Sequence, residues 1–438
     1  MGAALVGSLL ALFLVQQSDA AKIADPKCEW LHLESFENNT NPLYLTYPGK
    51  DVLQPVGHQL VQNGKKHFKF SVPHDAMILV ACPGSNGVCS KNSKNISEFR
   101  RYRSLFVAIC NHDNKMMPHF ENPTNLELGD LICCDDLKFD EPKLTRSSMC
   151  SEGKSDHLTL INFGFDVIPT VYSIDEYKVE HAFRFTALLS CYDTSQKRAL
   201  YSIHKYIQYN LGVKGKGIGY QALDRKLFDS VFKIDNEYLP YLYKAAGEKF
   251  DLNRGHLTPA ADFAFPCLRD QTFFYQNAAP QLKERNKEWG KVEESIREKY
   301  QTAVIVTGTS REENHAKYLL IQTEGTYKHH VLIPYLFWKI VFISYTEMSI
   351  YILPNTKEAE GMGTFNEIFG TETTPEDGYS STDENIIKKC REVIPEMDRV
   401  LREIKVTETP EEFWERITKT RLLDIKNFKK AEKQMNES

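Results

Sequence analysis

The sequence predicts an α+β fold: a central antiparallel sheet flanked by helices, preceded by a small, disulfide-rich, β-rich region. Three observations predict it. Seven of the ten cysteines (Cys28, Cys82, Cys89, Cys110, Cys133, Cys134 and Cys150) fall in the first 150 residues, among short β-favouring runs such as "HFKFSVPHDAMILVAC" and "SLFVAIC". Longer apolar runs follow from about residue 155 ("HLTLINFGFDVIPTVYSI", "FRFTALLSCYD", "RALYSIHKYI", "TAVIVTGT", "HVLIPYLFWKIVF"), interrupted by one helical stretch. Near the C-terminus, Thr409, Pro410 and Glu412 make a capping box, with a hydroxyl cap, proline at the first helical position and glutamate three residues after the cap.

The elements follow in order. Ala4 to Val15 is a twelve-residue run without a charge, ending in the small-x-small signature Ser18-Asp19-Ala20. A bilayer needs about 20 residues, so residues 1–20 read as a secretory signal peptide, although no Lys or Arg precedes the apolar run. Residues 21–150 read as the cysteine-rich β region and 151–438 as the main domain. An extracellular compartment lets disulfides persist. Because seven is odd, full oxidation of all ten cysteines requires at least one bridge from this region to Cys191, Cys267 or Cys390. The sequons at Asn38, Asn95 and Asn436 fit a secreted glycoprotein and equally fit ordinary surface asparagines. The run "VLIPYLFWKIVFISY" is broken by Pro334 and Lys339 and reads as buried strand, so no membrane span is expected.

Net charge is −5, which by itself points to no polyanion partner. Residues 201–300 hold sixteen Lys and Arg against thirteen Asp and Glu, while 351–438 hold fourteen against nineteen. The "GVKGKGIGY" loop is a flexible connector or a basic rim; its glycines do not match a phosphate-binding spacing.

The helical stretch places Trp289, Val292, Ile296 and Tyr300 on one buried face. Asn286 and Glu293 fall on the same stripe, and two polar groups there need a reason. Asn286 is a helix N-cap or part of a site at the helix start; Glu293 is a buried hydrogen-bonding group or part of that same site.

Upstream, "NRGHLTPAADF" packs Arg254, Gly255 and His256 together. Cutting a phosphodiester needs a base for water, positive charge on the developing phosphorane and help for the leaving oxygen. His256 is a candidate base, Arg254 a candidate phosphate ligand, and Gly255 allows close backbone approach. A single carboxamide such as Asn286 suits Mg²⁺, which keeps most of its waters. On residue types alone a histidine beside an arginine is more often structural. His329-His330 reads as surface, Phe273, Phe274 and Tyr275 as core or base-stacking, and Cys133-Cys134 as bridges to separate partners.

"NRGHLTPAADF" is similar to the D-R-G-H signature of the DNA/RNA non-specific endonucleases, the metal-dependent ββα-type family that includes bacterial extracellular nucleases and mitochondrial endonuclease G. "FFYQNAAPQLKERNKEWGKVE" resembles the family's N-x-x-P-Q, N, W, E order, and the flanking strands match as well. The cysteine-rich N-terminus resembles secreted arthropod salivary and gut members, some of which bind nucleic acid with little turnover. The resemblance implies a ββα-metal core and metal-dependent, sugar-nonspecific cleavage of DNA and RNA with Mg²⁺, or Mn²⁺ in its place. It implies His256 as general base, Arg254 and Arg225 at phosphate, Asn286 as metal ligand, and Glu293 as the carboxylate that orients metal-bound water. Asn277 and Gln281 fall at polar positions lining the substrate site. Two departures stand out. Asn253 replaces the family aspartate, and Asn286 lies one residue closer to Trp289 than the pattern has it. Three functions follow: a secreted nuclease, a secreted nucleic-acid-binding protein on the same scaffold, or an extracellular interaction protein acting through its N-terminal region.

Overall fold

The computed structural model describes residues 28–32, 42–46, 54–55, 58–62, 65–72, 77–82, 88–90, 105–110, 116–118, 131–133, 143–145, 148–150, 157–167, 183–196, 198–208, 252–263, 265–310, 317–322, 328–344, 347–355, 379–380, 384–405 and 407–418. The described residues before 143 form short strands grouped in sheets of two to five, β-rich as expected. The signal-peptide segment, the three sequons, the "GVKGKGIGY" loop and Arg225 lie outside the described residues.

An eight-stranded antiparallel sheet carries the rest. Its strands are β1 (Lys143–Thr145), β2 (Leu158–Val167), β3 (Phe183–Asp193), β4 (Arg198–Ile207), then, after a separate hairpin, β7 (Thr302–Ser310), β10 (Leu336–Ser344), β11 (Glu347–Pro354) and β12 (Tyr379–Ser380), in that spatial order. The hairpin is β5 (Leu252–His256) with β6 (Ala278–Leu282); a second one pairs β8 (Lys317–Gln322) with β9 (Lys328–Ile333). Helices α1 (Pro266–Asp270) and α2 (Lys283–Lys299) belong to the first hairpin. Helices α3 (Glu384–Val393), α4 (Pro395–Glu403) and α5 (Pro410–Thr418) come last among the described residues.

Side chains alternate across a strand, and here both faces are apolar. Leu160, Val304, Val306, Trp338, Ile340 and Phe342 face a core shared with Ile394, Met397, Val400, Phe413 and Trp414 of the C-terminal segment. Their strand neighbours Ile161, Ile305, Phe337 and Val341 face Trp289, Val292, Ile296 and Tyr300. The result is a helix–sheet–helix sandwich, which explains why the strands read as continuous apolar runs although the sheet is antiparallel; such runs usually mark parallel sheets. The run "VLIPYLFWKIVF" splits at Pro334 into β9 and β10, and β10 is buried as expected. The capping box also forms: the Thr409 amide donates to Glu412 Oε2 at 2.9 Å, and the Glu412 amide donates to Thr409 Oγ1 at 3.2 Å.

Two disulfides are described, Cys82–Cys133 and Cys150–Cys191. The second is a bridge from the N-terminal region into β3, of the kind the odd cysteine count demanded. The premise of full oxidation does not hold, because Cys267 and Cys390 are free thiols. Each is at most 1% exposed and serves as a small apolar core residue.

One feature interrupts the apolar face beneath α2. Cross-strand register aligns Ser190 with Ser202, Ser202 with Thr307, and Thr307 with Lys339, giving a polar row across β3, β4, β7 and β10. All four are 0–1% exposed. Buried polar groups must be hydrogen-bonded, and this row finds its partners in the hairpin–helix unit. Ser190 Oγ donates to the Gln276 carbonyl at 2.6 Å, and Ser202 Oγ and Thr258 Oγ1 share a 2.8 Å bond. The row fixes where the unit sits on the sheet.

Candidate active site

Strand β5 ends in the motif itself. Residues two apart on a strand share a face, so Arg254 and His256 point to one side, and Asn253 and Gly255 to the other. Register places Asn253 opposite Gln281 and Gly255 opposite Ala279. A Cβ on Gly255 would lie 2.4 Å from Gln281 Oε1 and 2.8 Å from its Cβ. The glycine therefore makes room for Gln281, which is a more specific role than close approach of the backbone alone. Gln281 is 0% exposed, and among the described residues neither the oxygen nor the nitrogen of its amide group has a hydrogen-bond partner.

His256 stands half-buried with its ring edge-on to Phe273 at 5.0 Å. Burial, with the Arg254 guanidinium adding to it, lowers its pKa to about 4. The imidazole is thus neutral at physiological pH, the state a proton acceptor needs. Arg254 is exposed, and its Nη1 donates a long 3.4 Å bond to the Tyr275 hydroxyl. Phe273 and Phe274, 8% and 6% exposed, are core residues rather than stacking platforms.

Asn277 clamps the loop after His256. Its Oδ1 accepts from the Thr258 amide, and its Nδ2 donates to the carbonyls of Thr258 and Thr272, all at 2.9 Å. The side chain is 0% exposed and fully used. Asn277, a position matched to the polar lining of the family's substrate site, has a structural role here: its donors and acceptor hold the two ends of the hairpin excursion together.

Helix α2 starts at Lys283, with Leu282 as its cap residue, so Asn286 lies in the first turn and is not an N-cap. At 100° per residue, the seven residues to Glu293 fall about 20° short of two turns. Both side chains therefore stay on one side of the helix despite the shortened spacing to Trp289. Asn286 is half-buried, and the Glu293 side chain is 14% exposed. Burial raises the Glu293 carboxyl to about 7; Lys339 opposes that rise and Asp262 adds to it.

Behind Glu293 lies a buried ionic cluster that the motif reading did not include. Lys339 Nζ donates to Thr307 Oγ1 at 2.7 Å, stands 3.8 Å from Glu293 Oε1 and lies 5.3 Å above the Trp289 ring. Asp262 Oδ1 accepts from Arg297 Nη1 at 3.1 Å, and its Oδ2 pairs with His204 Nε2 at 2.9 Å. His204 Nδ1 meets Thr258 Oγ1 at 3.3 Å. Every atom has a matching partner if His204 is neutral, with its proton on Nε2 facing the carboxylate. Burial depresses the His204 pKa, which agrees with that state. Two carboxylates, Glu293 and Asp262, thus balance two cations, Lys339 and Arg297. The signal in the sequence was a charged residue in the middle of an apolar strand, "FWKIV", and a histidine in "YSIHKY".

The donor set fits a hard, mostly hydrated cation. Asn286 offers one oxygen ligand and Glu293, on the same side of the helix, a carboxylate for the ion's waters, which suits an ion that keeps most of its own water shell. Among the described residues no group of three or more His, Cys, Asp or Glu is placed to cage a metal.

Comparisons with known proteins find the following. Residues 173–370 match the family model described as DNA/RNA non-specific endonuclease. The "Salivary endonuclease" of Lutzomyia longipalpis is 28% identical over 184 residues, a match that covers 35% of this chain and 41% of that protein. A chain from the crystal structure of the EndoG/EndoGI complex aligns with a TM-score of 0.32 and 17% identity, covering 50% of this chain and 89% of its own. The hairpin, α2 and the five central strands β3, β4, β7, β10 and β11 all lie inside the matched residues, whereas α3 to α5 lie beyond them. Residues 173–370 of this chain are therefore similar to the DNA/RNA non-specific endonuclease family.

Proposed function

We propose that the protein is a secreted, metal-dependent endonuclease that hydrolyses phosphodiester bonds in both DNA and RNA, with residues 151–438 as its catalytic domain. One observation carries the reading: a neutral His256 and an exposed Arg254 share one face of the strand whose hairpin leads directly into the helix bearing Asn286 and Glu293. His256 takes the proton of the attacking water. Arg254 holds the non-bridging oxygens, and Arg225 is assigned to the neighbouring phosphate. The Asn286 carboxamide oxygen would hold Mg²⁺, or Mn²⁺ in its place, and Glu293 would orient the ion's waters. Bound there, the ion supplies positive charge to the developing phosphorane and an acidic water to the leaving oxygen. Gln281 packs behind Gly255, on the strand face opposite His256. Two disulfides support an extracellular location, and no helix among the described residues is long and apolar enough to cross a membrane.

Asn253 is the residue that favours the second reading, a nucleic-acid binder with weak turnover. It sits on the Gln281 side of the strand, away from the imidazole, so the lost carboxylate acts on the strand's other face and leaves His256 in position. Incubating the purified chain with plasmid DNA and double-stranded RNA distinguishes the two. The nuclease reading expects cleavage of both with Mg²⁺ and none with EDTA. A gel shift without cleavage establishes the binder instead.

A further inference from the structure

The polar row ends at Lys339, a residue that the motif does not contain. It is 1% exposed, with Thr307, Trp289 and Glu293 around its ammonium group. An isolated buried ammonium is costly and persists only when paired. Its carboxylate partner Glu293 is the one the proposed mechanism uses to order water around the metal. The groups facing Glu293 are Lys339 from the sheet, Asp262 from the loop after β5 and Arg297 from one turn further along α2. Arg297 is engaged by Asp262, which in turn is held by His204. Lys339 is therefore the cation that balances Glu293.

We propose that Lys339 is a positioning residue for catalysis: from the floor of the sheet its ammonium group holds the Glu293 carboxyl in place on the Asn286 side of α2. Thr307 fixes the ammonium, and strand register fixes Thr307, so the sheet transmits its geometry to the site through one ion pair. The inference rests on the nuclease reading for the use of Glu293, but not for the pairing itself.

A double-mutant cycle tests it. Lys339→Met is expected to lower kcat about 10- to 100-fold, the usual cost of removing a group that orients a metal-site residue, with KM changed less than about twofold. Glu293→Gln should lose a similar factor, and the double variant should be no worse than Glu293→Gln alone, because the lysine acts only through that carboxylate. Lys339→Arg should recover part of the loss. Multiplicative losses in the double variant, or wild-type kcat in a folded Lys339→Met protein, would overturn the proposal. A second measurement does not depend on activity. In metal-free protein the ¹³C carboxyl resonance of Glu293, identified by its absence in Glu293→Gln, should titrate at least about one pH unit higher in Lys339→Met than in wild type, a tenfold change in its ionisation equilibrium. An unchanged titration contradicts the proposal even if the wild-type chain cuts nothing, whereas failure of wild-type cleavage alone overturns only the nuclease reading.

Discussion

His256→Ala is expected to reduce Mg²⁺-dependent plasmid cleavage by about 10² to 10⁴-fold, the range that general-base removal costs, while the protein still shifts DNA in a gel. The argument is local. Arg254 stays on the strand and keeps its charge, and Asn277 still clamps the loop, because its partners are the backbone groups of Thr258 and Thr272. Only the imidazole is removed, together with its edge contact to Phe273. Because burial and Arg254 hold the ring neutral down to about pH 4, wild-type activity should not fall between pH 8 and 6 through protonation of free His256. Cleavage by His256→Ala at the wild-type rate removes His256 as the base.

Asp262→Ala should be the most damaging substitution for stability, at about 3 kcal/mol and toward the lower end of the range for breaking a buried ion pair. The carboxylate is 4% exposed and takes both Arg297 and His204. Removing it leaves Arg297 and Lys339 facing Glu293 alone. The 15% exposure of the Arg297 side chain lets water relieve part of the loss. The same cluster predicts acid sensitivity. His204 has a folded pKa below its ordinary 6.5, so its contribution to stability is complete above that value and declines as pH falls below it. Asp262 is also held below its ordinary 3.8, so its contribution persists to lower pH and then declines in the same direction. Urea unfolding at pH 8, 6 and 4 checks the histidine: wild type should weaken towards acid, and Asp262→Ala should weaken at least as steeply, because the carboxylate that opposes the fall in the His204 pKa is gone. Equal stability of the two proteins at pH 8 contradicts the account of the cluster.

Much of this was legible in the sequence because it depends on periodicity. Trp289, Val292, Ile296 and Tyr300 recur at helical spacing, and they are the buried face of α2. The capping box before α5 is a local hydrogen-bond pattern, readable from three residues. What escaped depends on strand register. Nothing within "FWKIV" says that Lys339 lies opposite Thr307, or that Thr307 lies opposite Ser202; those alignments need the sheet order. His204 and Asp262 are 58 residues apart in the chain, and only the docking of the hairpin brings them together. The motif position of Asn277 said nothing of the backbone groups of Thr258 and Thr272 that its side chain satisfies, because those partners are set by the path of the loop. The cysteine count anticipated a bridge such as Cys150–Cys191, but parity could not reveal that two thiols would stay reduced in the core.

The central claim is that the β5–β6–α2 unit is a metal-dependent hydrolytic site with Asn286 as the protein's ligand. Its most direct test is the rate of plasmid nicking as a function of Mg²⁺ concentration, for wild type and for Asn286→Ala. The account predicts saturable, EDTA-reversible cleavage by wild type and a half-saturating Mg²⁺ concentration at least about tenfold higher, or no cleavage, for the variant. Superimposable metal dependence in the two proteins, or wild-type cleavage that survives EDTA, would contradict it.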